Sequence, residues 1–243
     1  MAAGASYRRD GDVIEFVVHR PERRNALGAA EWAVLDAAIA EAESGAGDFI
    51  LLRAEGEFFC AGIDLTWIDE TRRGGNLLKL IEDNGETLRR LDKLSQFVIV
   101  AVNGPAWGIG THVALCGDVL LITRSCYFAF PEAKLGIPDV MHFQWLEQRL
   151  GRHAAIDMTV LGLRLSAADA VARGVAGHLY DDANALAIAS QDYLKRFRGV
   201  DPSVRRAIKT AANGRADTRL QLDACRAVIM ADGRRPQKNQ PNG

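Results

Sequence analysis

FVIVAVNGPAWGIGTHVALCGD, residues 97–118, is the stretch on which the reading of this chain turns. An apolar run, Phe97 to Val102, stops at Asn103-Gly104-Pro105, passes a turn spaced by Gly108 and Gly110, and resumes as an apolar helical pattern ending near Gly117. Six apolar residues bounded by turn residues read as a buried strand, and the pattern after the glycines as a helix. A strand that feeds a helix through glycines leaves backbone N–H groups without intrahelical partners at the helix start, where the helix dipole favours negative charge. The segment therefore suits an anion or a developing oxyanion, and it equally fits an ordinary strand-to-helix turn. The rest of the chain separates the two.

Upstream, a second junction of the same kind stands at Glu57 to Leu65, where the strand Phe49 to Leu52 runs into CAGID, residues 60–64. Its glycine bend leaves the Ile63 N–H able to point into a cleft. Before it come a strand at Val13 to Val18, a basic loop HRPERRNALG at residues 19–28 that Pro21 keeps out of helix, and a helix. That helix, Ala29 to Glu43, carries Trp32, Leu35, Ala38, Ile39 and Ala42 at helical spacing and ends at Gly45 and Gly47. Polar residues 66–76 read as a mobile surface loop, and Leu77 to Leu94 as a helix weakened by Gly85.

Downstream, strands are expected at Val119 to Thr123 and Cys126 to Phe130, followed by an irregular PEAKLGIPD at residues 131–139. Helices then follow at Met141 to Leu150, Ala154 to Leu161, Ser166 to Arg173, Ala183 to Phe197, Pro202 to Ala212 and Arg219 to Met230. Ser166 with Asp169 forms a capping-box-like start, and the polar tail from Asp232 is expected to be disordered. Strands alternating with helices and then helices alone imply an α/β core with a helical C-terminal extension. A late helical block of this kind suits packing against neighbouring subunits.

Composition narrows the function classes. The chain has 243 residues, a net charge of -1 and 48% hydrophobic residues, which describes an ordinary globular protein with ample core. No basic excess points to nucleic acid, no apolar run is long enough to span a bilayer, and residues 1–12 lack an apolar signal core. A cytoplasmic location is the expectation. The 4 cysteines, Cys60, Cys116, Cys126 and Cys225, show no metal-ligand or CxxC spacing and read as small buried hydrophobes. A nucleophilic Cys60 would require an activating base beside it. No metal site is expected.

HRPERRNAL at 19–27, CAGID at 60–64 and NGPAWGIG at 103–110, in this order and spacing, resemble the crotonase superfamily, the enoyl-CoA hydratase/isomerase family. The resemblance runs from about Val13 to Met230. FPEAKLG at 130–136, LGR at 150–152 and TVLGLRLSAADAVARG at 159–174 support it. It implies an α/β fold with a crotonase-like ββα spiral core over residues 1–195, an α-helical C-terminal trimerisation region over 196–232 and a disordered tail over 233–243. Homotrimers, or hexamers built as dimers of trimers, are the implied assemblies.

The resemblance also implies chemistry on an acyl thioester through an enolate-like oxyanion, held by the backbone N–H groups of Ile63 and Ile109. Ile109 stands where many hydratases have the middle glycine of a triplet, and GPAWGIG is similar to the Δ3,Δ2-enoyl-CoA isomerase branch. Glu132 matches the second glutamate of two-glutamate hydratases, but His112 replaces the first. A histidine can act as acid or base yet does not reproduce a carboxylate pair that fixes a water. Isomerase- or lyase-type proton transfer is therefore expected in preference to hydration.

Asp139 falls near a position where several branches carry a reactive carboxylate, and His142 falls close by. Each candidate has a structural alternative: an ion pair for Glu132, a core histidine for His112, an N-cap for Asp139 and a packing role for His142. Arg23 and Arg24 lie in the loop whose family equivalents approach the phosphates of coenzyme A, and guanidinium groups suit phosphate. Ala26, Ala61, Asp64, Trp67, Trp107 and Gly108 complete the implied substrate and CoA site. Coenzyme A enters only as part of the substrate. Two further readings keep the fold: a C–C bond hydrolase of a free β-diketone, using a histidine/aspartate pair, and a non-catalytic partner subunit.

Overall fold

The computed structural model describes residues 4–135 and 143–213. The chain opens with a hairpin, β1 (Ala5–Asp10) paired antiparallel to β2 (Val13–Val18). β1 was absent from the sequence expectation because its outer residues are polar. It is an edge strand, and its ladder with β2, from Ala5 opposite Val18 to Asp10 opposite Val13, supplies what its pattern lacks. Next come α1 (Ala29–Glu43) and β3 (Phe49–Ala54). α1 buries the predicted stripe, and Glu31 in its first turn reaches back to the Gly28 N–H at 2.9 Å.

α2 (Leu65–Arg73) occupies most of the stretch read as a mobile loop. Asp64 caps it by accepting the Thr66 N–H at 2.9 Å, Arg72 and Arg73 face the negative end of its dipole, and Gly74 closes it. α3 (Leu77–Lys93) follows, with Gly85 buried inside it. The opening stretch then folds as β4 (Phe97–Val102), β5 (Ala106–Trp107) and α4 (Ile109–Leu115). Beyond it lie β6 (Val119–Thr123), β7 (Tyr127–Ala129), α5 (Phe143–Leu150), α6 (Arg152–Thr159), β8 (Leu165–Ser166), α7 (Ala167–Ala172), β9 (Leu179–Tyr180) and α8 (Ala183–Arg198). Ser166 caps α7 through the Asp169 N–H at 3.1 Å, as its sequence suggests.

Two sheets result, a six-stranded one of order β1-β2-β3-β4-β6-β9 and a three-stranded one of order β5-β7-β8. From β2 onward the larger sheet is parallel, so its strands read as continuous apolar runs covered on both faces. The exception in β2 is Glu15, whose carboxylate takes Arg8 from β1 at 2.8 Å and Arg53 from β3 at 2.7 Å. β4–β5–α4 places one strand in each sheet before its helix, the ββα turn expected of this α/β fold. The core gathers around Ile14, Leu35, Ile39, Ile50, Ile99 and Phe128.

By internal contacts the chain divides into residues 1–193 and 194–243. Both sheets belong to the first unit. The described part of the second holds the end of α8 and α9 (Pro202–Asn213), which Asp201 caps through the Ser203 N–H at 2.8 Å. The predicted helix at Arg219 to Met230, Cys225 and the tail lie outside the described residues. No helix of the described residues is long and apolar enough to cross a membrane.

Candidate active site

The three motifs are laced together by main-chain hydrogen bonds. Phe59 and Cys60 donate to the Pro105 carbonyl at 3.1 and 3.3 Å, Trp107 donates to Cys60 at 2.8 Å, and Ala61 donates to Arg24 at 3.0 Å. Leu27 pairs in parallel with Ile63: the Leu27 N–H meets the Gly62 carbonyl at 2.8 Å and the Asp64 N–H meets the Leu27 carbonyl at 2.9 Å. Because N–H and C=O point in opposite directions across a planar trans peptide, holding the Gly62 carbonyl toward Leu27 turns the Ile63 N–H away from it.

Gly108 sets the direction of the Ile109 N–H. Its N–H is taken by the Ala129 carbonyl at 2.8 Å, and its own carbonyl accepts Thr111 at 2.9 Å and His112 at 3.2 Å, which starts α4. The turn needs φ +53°, a region only glycine enters without strain. The Thr111 hydroxyl stitches the Ala106 and Ala129 carbonyls together at 2.7 and 3.2 Å, beneath the turn. The Ile109 N–H then emerges from the start of the helix. Among the described residues neither the Ile63 nor the Ile109 N–H has an acceptor.

These loops edge a cavity of about 480 Å³. Its walls include Ala26, Ala61, Gly62, Ile63, Trp107 and Gly108 from the motifs, with Arg23 and Arg24 exposed on its rim. α2 and α3 supply an apolar side, Leu65, Ile68, Leu77, Leu80 and Ile81, which sequence reasoning misses because residues 66–76 read as a polar loop and the periodicity of Leu77 to Leu94 does not tell core from cavity. Glu132, in a 3-10 turn after β7, lines the same cavity beside the Gly108 turn: a Cβ built on Gly108 would collide with Glu132 Oε1. Mostly apolar walls with a few convergent polar groups are the usual makeup of a small-molecule site.

Other expected residues sit differently. Asp64 reaches the wall, but its carboxylate is engaged by Arg20 Nη1 at 2.8 Å and the Thr66 N–H at 2.9 Å. Burial works to raise this carboxyl, and those two hydrogen bonds outweigh it, leaving it below the ordinary value. Trp67 is not among the walls. On α2 the cavity side falls to Leu65 and Ile68, three apart, while Trp67 packs against the core.

Trp107 is a wall, braced by Phe58 at 6.2 Å and Tyr127 at 6.3 Å, and the Arg24 guanidinium lies 5.4 Å over the Phe58 ring. His112 is 3% exposed on α4 with its ring 4.7 Å from Phe130, and it is not among the described walls. Asp139 and His142 lie outside the described residues, and with them the pair on which the β-diketone hydrolase reading depends. Cys60 is buried, and burial pushes its thiol up to about 12, which leaves no thiolate for attack. Among the described residues no group of three His, Cys, Asp or Glu side chains could hold a metal ion.

Two buried polar residues, one in the first motif and one just after it in α1, escaped the sequence reading. Asn25, with no exposed surface, donates to the Glu55 and Phe58 carbonyls at 2.7 and 2.6 Å and accepts the Arg20 N–H at 2.8 Å. It thereby holds the basic loop against the segment that leads into CAGID. Glu31, 5% exposed, accepts the Gly4 and Gly28 N–H groups at 2.7 and 2.9 Å. The available signal was local: an asparagine in a strand-to-helix loop and a glutamate three residues after a glycine.

Known proteins bear on this geometry. A sequence profile described as enoyl-CoA hydratase/isomerase matches residues 8–225. The 1,2-epoxyphenylacetyl-CoA isomerase of Escherichia coli K12 is 34% identical over 223 residues, covering 87% of this chain and 84% of its own. The 2,3-dehydroadipyl-CoA hydratase of the same organism is 30% identical over 219 residues, covering 88% and 83%. A solved protein of Thermobifida fusca YX, in complex with acetoacetyl-CoA, superposes with a TM-score of 0.83 at 27% identity, covering 95% of each chain. With the profile spanning nearly the whole chain, this protein belongs to the enoyl-CoA hydratase/isomerase family of the crotonase superfamily.

Proposed function

We propose that the protein removes and returns a proton next to the carbonyl of an acyl-CoA thioester, an isomerase- or lyase-type transfer rather than standard hydration. The Ile63 and Ile109 N–H groups hold the enolate oxygen, and Glu132 carries the proton. The observation that carries this reading is the position of Glu132 on the cavity wall against Gly108, the residue whose turn aims the Ile109 N–H.

The chemistry follows from that arrangement. Taking a proton from the carbon beside a thioester moves negative charge onto its oxygen. A preorganised donor aimed at that charge lowers the barrier by about 2.7–4 kcal/mol. Glu132 faces a mostly apolar cavity, where a lower local dielectric strengthens each charge-dipole contact. Hydration would need a second carboxylate to hold a water, and the other carboxylate on the described wall, Asp64, is taken up by Arg20 and the Thr66 N–H. Arg23 and Arg24 on the rim suit the phosphates of coenzyme A. The CoA-linked names of the relatives support a thioester substrate.

Solvent exchange tests the reading without knowing the acyl group. Butyryl-CoA and phenylacetyl-CoA are incubated with the protein in deuterium oxide and followed by mass spectrometry. Deuterium is expected to enter beside the carbonyl of at least one of them, and Glu132→Gln is expected to slow this by about 10²-fold or more, the usual contribution of a positioned acid or base. Exchange that proceeds as fast in Glu132→Gln, or no exchange into either ester, contradicts the proposal.

A further inference from the structure

A buried ionic cluster stands behind the Ile63 loop and takes no part in the proton transfer. Arg20, the second residue past β2, places Nη1 2.8 Å from Asp64 Oδ2, 3.2 Å from the Ala26 carbonyl oxygen and 3.7 Å from Glu31 Oε2. The Asp64 and Glu31 side chains are only 10% and 7% exposed. Ala26 and Asp64 flank the two ends of the Leu27–Ile63 bridge. One guanidinium nitrogen therefore holds both sides of the backbone pairing that fixes the Gly62–Ile63 peptide plane.

Of the main-chain hydrogen bonds between the two loops, only Leu27 N–H to the Gly62 carbonyl acts on the peptide that carries the Ile63 N–H, while Asp64 to Leu27 and Ala61 to Arg24 hold its neighbours. Alone, such a contact leaves the peptide plane able to rock, and an oxyanion donor misaimed by a fraction of an ångström loses much of its effect. A charge-assisted clamp on both sides of that contact removes the rocking. We infer that Arg20 is a positioning residue for the first oxyanion donor, acting on the substrate carbonyl through Ala26, Asp64 and the Gly62–Ile63 peptide. This inference rests on the thioester reading above.

The clamp calls for arginine in particular. A lysine at position 20 supplies the charge that the two buried carboxylates need, but its ammonium ends one bond short of the Nη1 position and has no planar group to fix its direction, so it does not hold Ala26 and Asp64 together. Removing the charge altogether strands those carboxylates and risks the fold, so Arg20→Lys is the informative variant.

The readout is the near-ultraviolet band of 2,4-hexadienoyl-CoA, which moves to longer wavelength when hydrogen bonds polarise its carbonyl. Wild-type protein is expected to shift the bound band. Arg20→Lys is expected to lose at least half of that shift and to slow deuterium exchange about ten- to a hundredfold, short of the about 10²–10³ for losing a donor outright. Its dissociation constant for the ligand should stay near that of wild type, a split that a general loss of structure does not produce. If Arg20→Lys does not fold, Asp64→Asn, which keeps an oxygen for the Thr66 N–H, is read in the same way. A full shift with wild-type exchange in the folded variant overturns the role of Arg20. An unshifted band in wild-type protein overturns the thioester placement itself, and the clamp with it.

Discussion

Gly110 packs directly against Cys60 on the loop that carries the Ile63 N–H, and Gly110→Ala should separate the two loops. A Cβ at this position would lie 2.6 Å from Cys60 Cβ, 2.7 Å from the Cys60 carbonyl oxygen and 2.8 Å from Cys60 Sγ. Ordinary carbon contacts fall at about 3.5–4.0 Å, so a gap of about 0.7–1 Å has to open. Cys60 cannot swing aside, because its backbone accepts from Trp107 at 2.8 Å and donates to Pro105 at 3.3 Å. The start of α4, bearing the Ile109 N–H, must therefore move away from the loop bearing the Ile63 N–H. Overpacking of this size costs about 1–3 kcal/mol of stability, and a misplacement near 1 Å costs about 10²-fold in rate. Deuterium exchange into a responsive acyl-CoA should fall by about 10²-fold in a protein that still melts cooperatively. Adding Cys60→Gly removes the Cβ and Sγ clashes but leaves the carbonyl one, so recovery should be partial. An exchange rate in Gly110→Ala within about twofold of wild type would refute the coupling of the two loops.

Further outcomes follow from residues away from the donors. Asn25→Ala strands the Glu55 and Phe58 carbonyls and the Arg20 N–H in a loop where Asn25 has φ +56°, and at about 1–3 kcal/mol per stranded buried group it should lower the urea midpoint clearly; an unchanged midpoint counts against the loop clamp. At Glu15, burial works to raise the carboxyl, and hydrogen bonds from Arg53 and Arg8 outweigh it and hold it below the usual range. Its folded pKa thus lies under its unfolded one, so its stabilisation is present above the unfolded value of about 4.3 and is lost as pH falls through the folded value. Glu15→Gln should therefore be less stable than wild type at neutral pH, with the gap closing in acid; a gap that widens on acidification contradicts this. Cys60, Cys116 and Cys126 are buried, and burial raises the thiols of Cys60 and Cys126. Iodoacetamide should label none of the three in native protein and all three after unfolding, as read by peptide mass mapping.

Much of the scaffold is legible from pattern alone. β2, β4 and β6 are apolar runs bounded by turn residues, and α1 shows its stripe at full length, so local sequence and tertiary burial agree there. The disagreements have identifiable physical causes. α2 buries only Ile68, so it offers no apolar period, and its evidence lay in the Asp64 cap and the closing Gly74. β1 has an exposed outer half, and only its pairing with β2 makes it a strand.

The two strand-to-turn junctions at Gly62 and Gly108 are legible because glycine spacing is a local signal. The Arg20–Asp64 pair spans 44 residues, and no local signal carries it. Asp64, implied by the resemblance as part of the substrate site, does line the cavity, but its position in CAGID does not show that Arg20 and the Thr66 N–H hold its carboxylate. The histidine that stands at position 112 in place of glutamate is plain in the sequence, yet the helix that carries it is buried throughout, and its side chain packs against Phe130.

The central claim concerns where a thioester oxygen comes to rest, and a crystal structure of this protein with acetoacetyl-CoA tests it most directly. The account predicts that oxygen at about 2.7–3.1 Å from both the Ile63 and Ile109 nitrogens, with the carbon beside it facing Glu132. A thioester oxygen more than about 3.5 Å from either nitrogen, with the acyl group lodged elsewhere, would contradict it.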